Sequence, residues 1–324
     1  MKKYFIGIDL GGTNTRVALI NKRFAILDRA SFPTRTSKTP QRFVSAVCNS
    51  VNNLLKKRGL TRRDVIGIGM GIPGQMDIKK GIIYSLTNIK GFNGVNIKRL
   101  FAKRIKIPLY IDNDVNVMTL AELHKGAGKG KKNLVCITLG TGVGGGIIIN
   151  GRLHRGHLSS AGEIGHIPIN VDGPRCNCGG IACIESYVGN SYIIKEVKRR
   201  IGRGEKTIIK RLAGGNVSRI TPELLYKAAK RRDKFAVVFW KEIGFRIGVM
   251  LSGVINLLSP DKVIIGGGVA QAGRFILNPI KETVKKRAMN IQRRHVKIVR
   301  ASLGRDAGLV GAAVLVSLER DGNI

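Results

Sequence analysis

Phe5-Ile6-Gly7-Ile8-Asp9-Leu10-Gly11-Gly12-Thr13-Asn14-Thr15-Arg16-Val17-Ala18-Leu19-Ile20 reads as strand, glycine turn, strand. Two apolar runs joined by small residues predict a β-hairpin. Glycines in such a turn let a phosphate approach the backbone N–H groups. Asp9 enters the turn from the strand, either to meet a magnesium ion or as part of a plain turn, although a plain turn needs neither that acid nor two glycines. The stretch Ile137-Thr138-Leu139-Gly140-Thr141-Gly142-Val143-Gly144-Gly145-Gly146-Ile147-Ile148-Ile149-Asn150 aligns on Ile8–Asn21 without a gap. Ile, Leu, Gly, Ile and Asn fall at matching places. Two such units at one internal spacing predict two related half-domains facing one another across a cleft. Asp9 has Thr138 as its counterpart, so only the first copy carries an acid.

Gly140-Thr141-Gly142-Val143-Gly144-Gly145 also satisfies the dinucleotide pattern G-x-G-x-x-G. That fingerprint requires a helix after the glycines. Here Ile147-Ile148-Ile149 followed by Asn150-Gly151 reads as a strand ending in a turn, so a nicotinamide cofactor is not expected.

Between the copies Thr39-Pro40 opens a helix to about Arg58, and Val65 to Gly71 is a buried strand ending in the sharp turn Ile72-Pro73-Gly74. Ile107 to Ile111 is a strand running into Asp112-Asn113-Asp114-Val115-Asn116, with a helix after it through Leu123. Asp114 thus sits where free helix N–H groups favour a carboxylate, either as a reactive acid or as a plain N-cap. Farther on, a helix to about Arg200, a surface loop over 202–216 and a helix from Thr221-Pro222-Glu223 are expected. A long apolar helix over Phe235–Leu258 follows. Lys262–Ile265 reads as a buried strand leading through Gly266-Gly267-Gly268 into a helix, a junction that passes a nucleotide over the backbone or simply turns. The last strand is Val296–Ala301 and the last helix Asp306–Glu319.

Glu163-Ile164-Gly165-His166 precedes Cys176-Asn177-Cys178 and Cys183-Ile184-Glu185. One histidine and three thiolates suit a closed tetrahedral zinc site of His166, Cys176, Cys178 and Cys183, bracketed by the carboxylates Glu163 and Glu185. A disulfide is disfavoured by the odd cysteine count and by the absence of secretion signals. Cys48 and Cys136, alone in apolar runs, read as core.

At 324 residues the chain is long enough for two domains. Lys2 and Lys3 precede a short apolar stretch, but Asp9 interrupts it and no cleavage site follows, so a cytoplasmic location is expected. No apolar run reaches membrane-spanning length without glycines or charges. Lys and Arg number 57 against 20 Asp and Glu, a net charge of +37. Such a field draws polyanions. The cations are spread along the chain and aromatics are only 5%, so nucleic acid is expected to bind non-specifically rather than on a stacking platform.

Taken together, these motifs resemble the ROK family (repressors, open reading frames and sugar kinases), and its bacterial glucokinase branch most. The carriers are Asp9-Leu10-Gly11-Gly12-Thr13, Gly71-Ile72-Pro73-Gly74, Asn113-Asp114-Val115-Asn116, Leu139 to Gly145, Glu163 to His166, and Cys176 through Glu185. The resemblance implies an α/β, actin-like ATPase (ribonuclease H-like) fold with two domains around a cleft. The smaller would be 1–115 joined by the C-terminal helix 306–324, and the larger 116–305 with the zinc site. It implies an enzyme that phosphorylates a hexose, glucose foremost, at the 6-hydroxyl with ATP. Asp114 would be the general base. Gly74, Asn113, Glu163, His166 and Glu185 would hold the sugar, and His166 would also ligate Zn2+. Asp9 would help hold Mg2+, and Gly11, Gly12, Thr13, Asn14, Thr141 and Gly142 would grip the phosphates. Gly268 would border the adenosine, and a homodimer or homotetramer is implied.

The departures are Ala182 for a usual glycine, Leu86-Thr87-Asn88 for Ala-Pro-Asn, and Phe92 for a tryptophan. These touch the sugar-side loops and leave N-acetylmannosamine or fructose as alternatives to glucose. A sugar-sensing DNA-binding regulator is the other alternative. It is disfavoured because such regulators resemble this chain plus a winged helix ahead of a turn that here begins at Asp9.

Overall fold

The computed structural model describes residues 2–36, 39–86 and 89–322. The first hairpin is as expected: β1 (Tyr4–Leu10) pairs antiparallel with β2 (Asn14–Asn21), Leu10 opposite Thr15, and β2 pairs with β3 (Ile26–Pro33). Helix α1 (Pro40–Lys57) starts where Thr39 accepts the Arg42 N–H and proline takes the first turn. Its Phe43, Val47, Val51 and Leu54 recur at helical spacing and are all buried. Strand β4 (Val65–Ile72) is buried at every position, as a parallel strand covered on both faces must be. A small three-stranded sheet follows, β5 (Gly74–Asp77), β6 (Ile82–Leu86) and β7 (Val95–Asn96). Then come α2 (Ile97–Arg104), β8 (Leu109–Asn113) and α3 (Asp114–Lys125).

The pattern then restarts with β9 (Leu134–Leu139), β10 (Val143–Ile149) and β11 (Arg152–His154). Helices α4 (Glu185–Val188), α5 (Asn190–Gly202), α6 (Ile209–Leu212), α7 (Pro222–Lys230) and α8 (Lys234–Leu258) follow. Last come β12 (Lys262–Gly266), α9 (Arg274–Arg287), α10 (Asn290–His295), β13 (Lys297–Arg300) and α11 (Ala307–Arg320). The two large sheets have one design. Their strand orders are β3-β2-β1-β4-β8 and β11-β10-β9-β12-β13, third-second-first-fourth-fifth in each, with the later strands parallel to the first. The internal repeat read from the two glycine turns therefore extends to whole sheets.

Two expectations change. Residues 202–216 are not a plain surface loop: α6 lies within them, with Ile209 and Ala213 buried. The Asp233 carboxylate fixes this segment, accepting the Ile208 N–H (2.9 Å) and the Thr207 hydroxyl (3.1 Å) while also capping α8. Nor does the glycine run after β12 open directly into an α-helix. A 3-10 turn, Val269–Ala272, intervenes before α9.

The chain groups into two compact units, 1–132 with 146–161 and 302–324, and 133–145 with 162–301. Against the expected division after residue 115, α3 stays with the first unit, because it packs closely on α11. A β-carbon at Gly311 would overlap the Val117 carbonyl oxygen. In the same unit α11 lies directly on the sheet. β-Carbons at Gly7 and Gly69 would overlap the carbonyl oxygens of Leu309 and Ala312. Among the described residues no helix is long and apolar enough to cross a membrane.

Candidate active site

In the first unit, β1 delivers Asp9 to the turn Gly11–Asn14, closed by the Gly11 N–H on the Asn14 carbonyl (3.2 Å). The Asp9 carboxylate pairs with Arg16 across the hairpin, and Arg16 donates to the Arg305 carbonyl (2.6 Å). The turn is braced from outside by Thr34. Its hydroxyl donates to the Gly11 carbonyl (2.7 Å) and accepts from Thr15 (2.9 Å), and its N–H donates to the Thr13 carbonyl (2.8 Å). Sequence reading missed Thr34, since nothing local marks a residue acting on a turn twenty-odd positions upstream.

Strand β8 ends and α3 begins at Asn113-Asp114. Asn113 is the cap of α3: its Oδ1 accepts the Val115 N–H (2.9 Å), and its Nδ2 faces the Gly74 carbonyl (3.4 Å). Thus two expected sugar-site residues, Asn113 and Gly74, do come together. Asp114 is half-buried in the first turn of α3, its Oδ1 accepting its neighbour's N–H (3.0 Å). The cap reading therefore belongs to Asn113, which leaves Asp114 as the acid at the helix start. Of the departures on this side, Phe92 is core rather than lining, buried edge-on against Phe43. Thr87 and Asn88 lie outside the described residues.

In the second unit the four expected metal ligands converge. One ligand atom from each of His166, Cys176, Cys178 and Cys183 lies within 4.8 Å of all the others. His166 turns Nδ1 toward Cys176 Sγ (3.7 Å) and Nε2 toward the Glu163 carboxylate (3.8 Å). The backbone builds this clasp. Pro168 bridges Cys183, Arg175 bridges Ile181, and the Ile169 and Ile184 N–H groups donate to Ala182 and Ile167. Burial pushes the Cys183 thiol up to about 12, with the neighbouring thiols adding to it, and burial raises Cys176 as well. Cys178, whose sulfur accepts the Gly180 N–H (3.4 Å), is lowered. Three crowded sulfurs that resist joint ionisation are the donor set a soft divalent cation suits, because its charge reverses that cost.

Glu185, at the start of α4, sits on the second glycine turn. Its Oε2 accepts the Val143 N–H (2.8 Å), and a β-carbon at Gly142 would overlap that oxygen. Thr141 is exposed at the tip. Gly268, the expected adenosine neighbour, has open space around it, whereas Gly267 carries the constraint, with φ +89° and the Leu139 backbone against it.

A duplicated five-stranded α/β sheet whose glycine turns each sit on the first hairpin defines the class: an actin-like ATPase fold. The chain belongs to the ROK family, whose pattern it matches over residues 5–319. A glucokinase of Halalkalibacterium halodurans is 32% identical over 98% of this chain and 96% of that protein. A ROK family glucokinase from Streptomyces griseus, solved with glucose and AMPPNP, is 32% identical at a TM-score of 0.82, covering 96% of this chain and 98% of that one. A xylose repressor of Caldicellulosiruptor bescii is 27% identical over 96% of this chain and 77% of the repressor.

Proposed function

We propose that the protein is an ATP-dependent hexose kinase that transfers the γ-phosphoryl group to the 6-hydroxyl of glucose. The observation that carries the reading is similarity at 32% identity to bacterial glucokinases across nearly the full length of both chains. In this reading Asp114 takes the proton of the 6-hydroxyl as that oxygen attacks phosphorus. Phosphoryl transfer is chiefly positioning and charge neutralisation with one base to orient the nucleophile, and the first turn of α3 holds Asp114 in a fixed place for that role. Asn113, Glu163, His166 and Glu185 accept and donate to the sugar hydroxyls, with the Gly74 backbone beside Asn113. Gly11, Gly12, Thr13, Asn14, Thr141 and Gly142 grip the phosphates, and Gly268, with room around it, borders the adenosine.

Two ions belong to the proposal. Asp9 offers the hard oxygen donor that magnesium takes, and the ion supplies charge neutralisation on the phosphates. His166, Cys176, Cys178 and Cys183 would hold zinc, which stiffens the segment carrying Glu163 and Glu185. With Nδ1 on the metal side, His166 keeps Nε2 in a fixed direction for a hydroxyl.

The test is coupled ADP release across glucose, mannose, fructose, N-acetylglucosamine and N-acetylmannosamine. Glucose is expected to give the highest kcat/KM, and a higher value for an N-acetylated sugar or fructose overturns the choice of substrate. Sequence-selective duplex binding at physiological salt without turnover favours the regulator instead.

A further inference from the structure

Asp112, Arg155 and Glu319 form a buried-to-surface ion network beside the proposed base, and none of them has a place in the chemistry given above. Asp112 is the residue before Asn113-Asp114 and is wholly buried. Its Oδ1 accepts the Asn113 N–H (2.7 Å) and Asn116 Nδ2 (2.8 Å). Its Oδ2 accepts both Nε and Nη2 of Arg155, each at 2.7 Å. The guanidinium is itself mostly buried and reaches out to Glu319 on α11 (3.0 Å). The Arg155 carbonyl accepts the Ala161 N–H (2.9 Å), closing a loop two residues short of Glu163.

A buried carboxylate with four donors is held in one place, and a guanidinium fork fixes its orientation better than any other side chain. Burial makes the pair a poor source of stability relative to an apolar core. Its worth lies in geometry. Asp112 pins the backbone N–H of Asn113, and Asn113 in turn caps α3 and starts the turn that carries Asp114.

We propose that Arg155 is a positioning residue for the catalytic Asn113-Asp114 pair, acting through buried Asp112. The inference rests on the kinase reading of Asp114. Loss of the fork lets Asn113 and Asp114 drift, which degrades sugar placement and proton removal while leaving nucleotide affinity alone.

The test compares Arg155→Met, Arg155→Lys, Asp112→Asn and Glu319→Gln in the full chain, with folded fraction read by circular dichroism. Arg155→Met is expected to lower kcat by about 30- to 100-fold, the cost of a misplacement near 1 Å, and to raise KM for the sugar several-fold with KM for ATP unchanged. Arg155→Lys recovers part of kcat, because one donor still reaches Asp112. Glu319→Gln keeps the inner pair and stays within about twofold of wild type. Should Arg155→Met fail to fold, Asp112→Asn, which keeps the shape and the acceptor for Asn113, must show the same split. Folded variants with wild-type kcat and sugar KM overturn the inference. So does a uniform fall in kcat that tracks the folded fraction with every KM unchanged. Wild-type turnover separates the two claims: no hexose turnover by the wild type sinks the kinase reading and this inference with it, whereas normal turnover with indifferent variants sinks this inference alone.

Discussion

Asp114→Ala removes the proposed proton acceptor, along with the hydrogen bond its Oδ1 accepts from the Val115 N–H. Sugar-dependent ADP release is expected to drop by about 10²- to 10⁴-fold, the range for a general base. Loss of one acid from a helix start costs about 0.5 kcal/mol, so the melting temperature should move only slightly. Near-normal turnover in a folded variant would remove Asp114 from the mechanism. Ala182 makes a second point at this scale. It is fully buried at φ +57° and packed near Gly173. The left-handed backbone costs alanine about 1 kcal/mol, and glycine would forfeit a buried methyl worth about the same, so Ala182→Gly is expected to be nearly neutral. Ala182→Val adds a branched side chain with no room and should destabilise by about 2 kcal/mol or more in a denaturant titration. The four clasp ligands were legible because they fall in one short window with metal spacing. Arg155 and Asp112 were not, since the partners stand 43 residues apart and neither looks unusual alone. Phe92 read as a sugar-side change because sequence cannot tell a lining aromatic from a buried one.

Within the second unit, two sets of elements are held by different means, and each can be loosened separately. The clasp joins 166–169 to 176–184 through backbone bridges as well as its four ligands. A strong chelator is expected to remove one zinc per chain, inactivate the enzyme and expose 166–184 to proteolysis, with zinc restoring all three. Full activity in metal-free protein would contradict the clasp. Helix α5 is tied to α8 by ions: Glu196 meets Arg199 (2.6 Å) and Arg200 (2.9 Å), and Arg200 reaches Glu242 (2.5 Å). Those guanidiniums, Arg199 foremost, hold the Glu196 carboxyl at about 2, below its ordinary 4.5. A depressed acid stabilises the fold above its unfolded value and ceases to do so as pH falls through its folded one. The melting-temperature gap between wild type and Glu196→Gln should therefore be full near neutrality and close between pH 4.5 and about 2. A gap unchanged at low pH would show the pair to be inert. Most helices here were readable from period and caps, Thr39-Pro40 and Thr221-Pro222 above all. Helix α6 was not, because the segment is anchored by the Ile208 N–H on Asp233, a partner 25 residues away in the chain.

For the whole molecule, the five positions shared by the two glycine turns were enough to announce a duplicated sheet, since each turn sits at the same place in a strand order that occurs twice. The unit boundaries were harder to read, because helix packing such as Gly311 against Val117 leaves no local mark. Net charge acts at this scale too. At +37 the protein attracts an anionic nucleotide and is indifferent to a neutral sugar. Raising salt from about 50 to 300 mM shortens the screening length and should raise KM for ATP several-fold, while KM for glucose stays within about twofold. Equal shifts in both would assign the effect to something other than charge.

The seat of α11 against β1 and β4 also bears on synthesis. Both strands leave the ribosome well before the helix that covers them, since β4 ends at Ile72 and α11 begins at Ala307. Until it arrives, one side of the sheet holding β1 and β4 has no cover, so nascent chains stalled ahead of residue 307 should be good chaperone clients and emergence of α11 should free them.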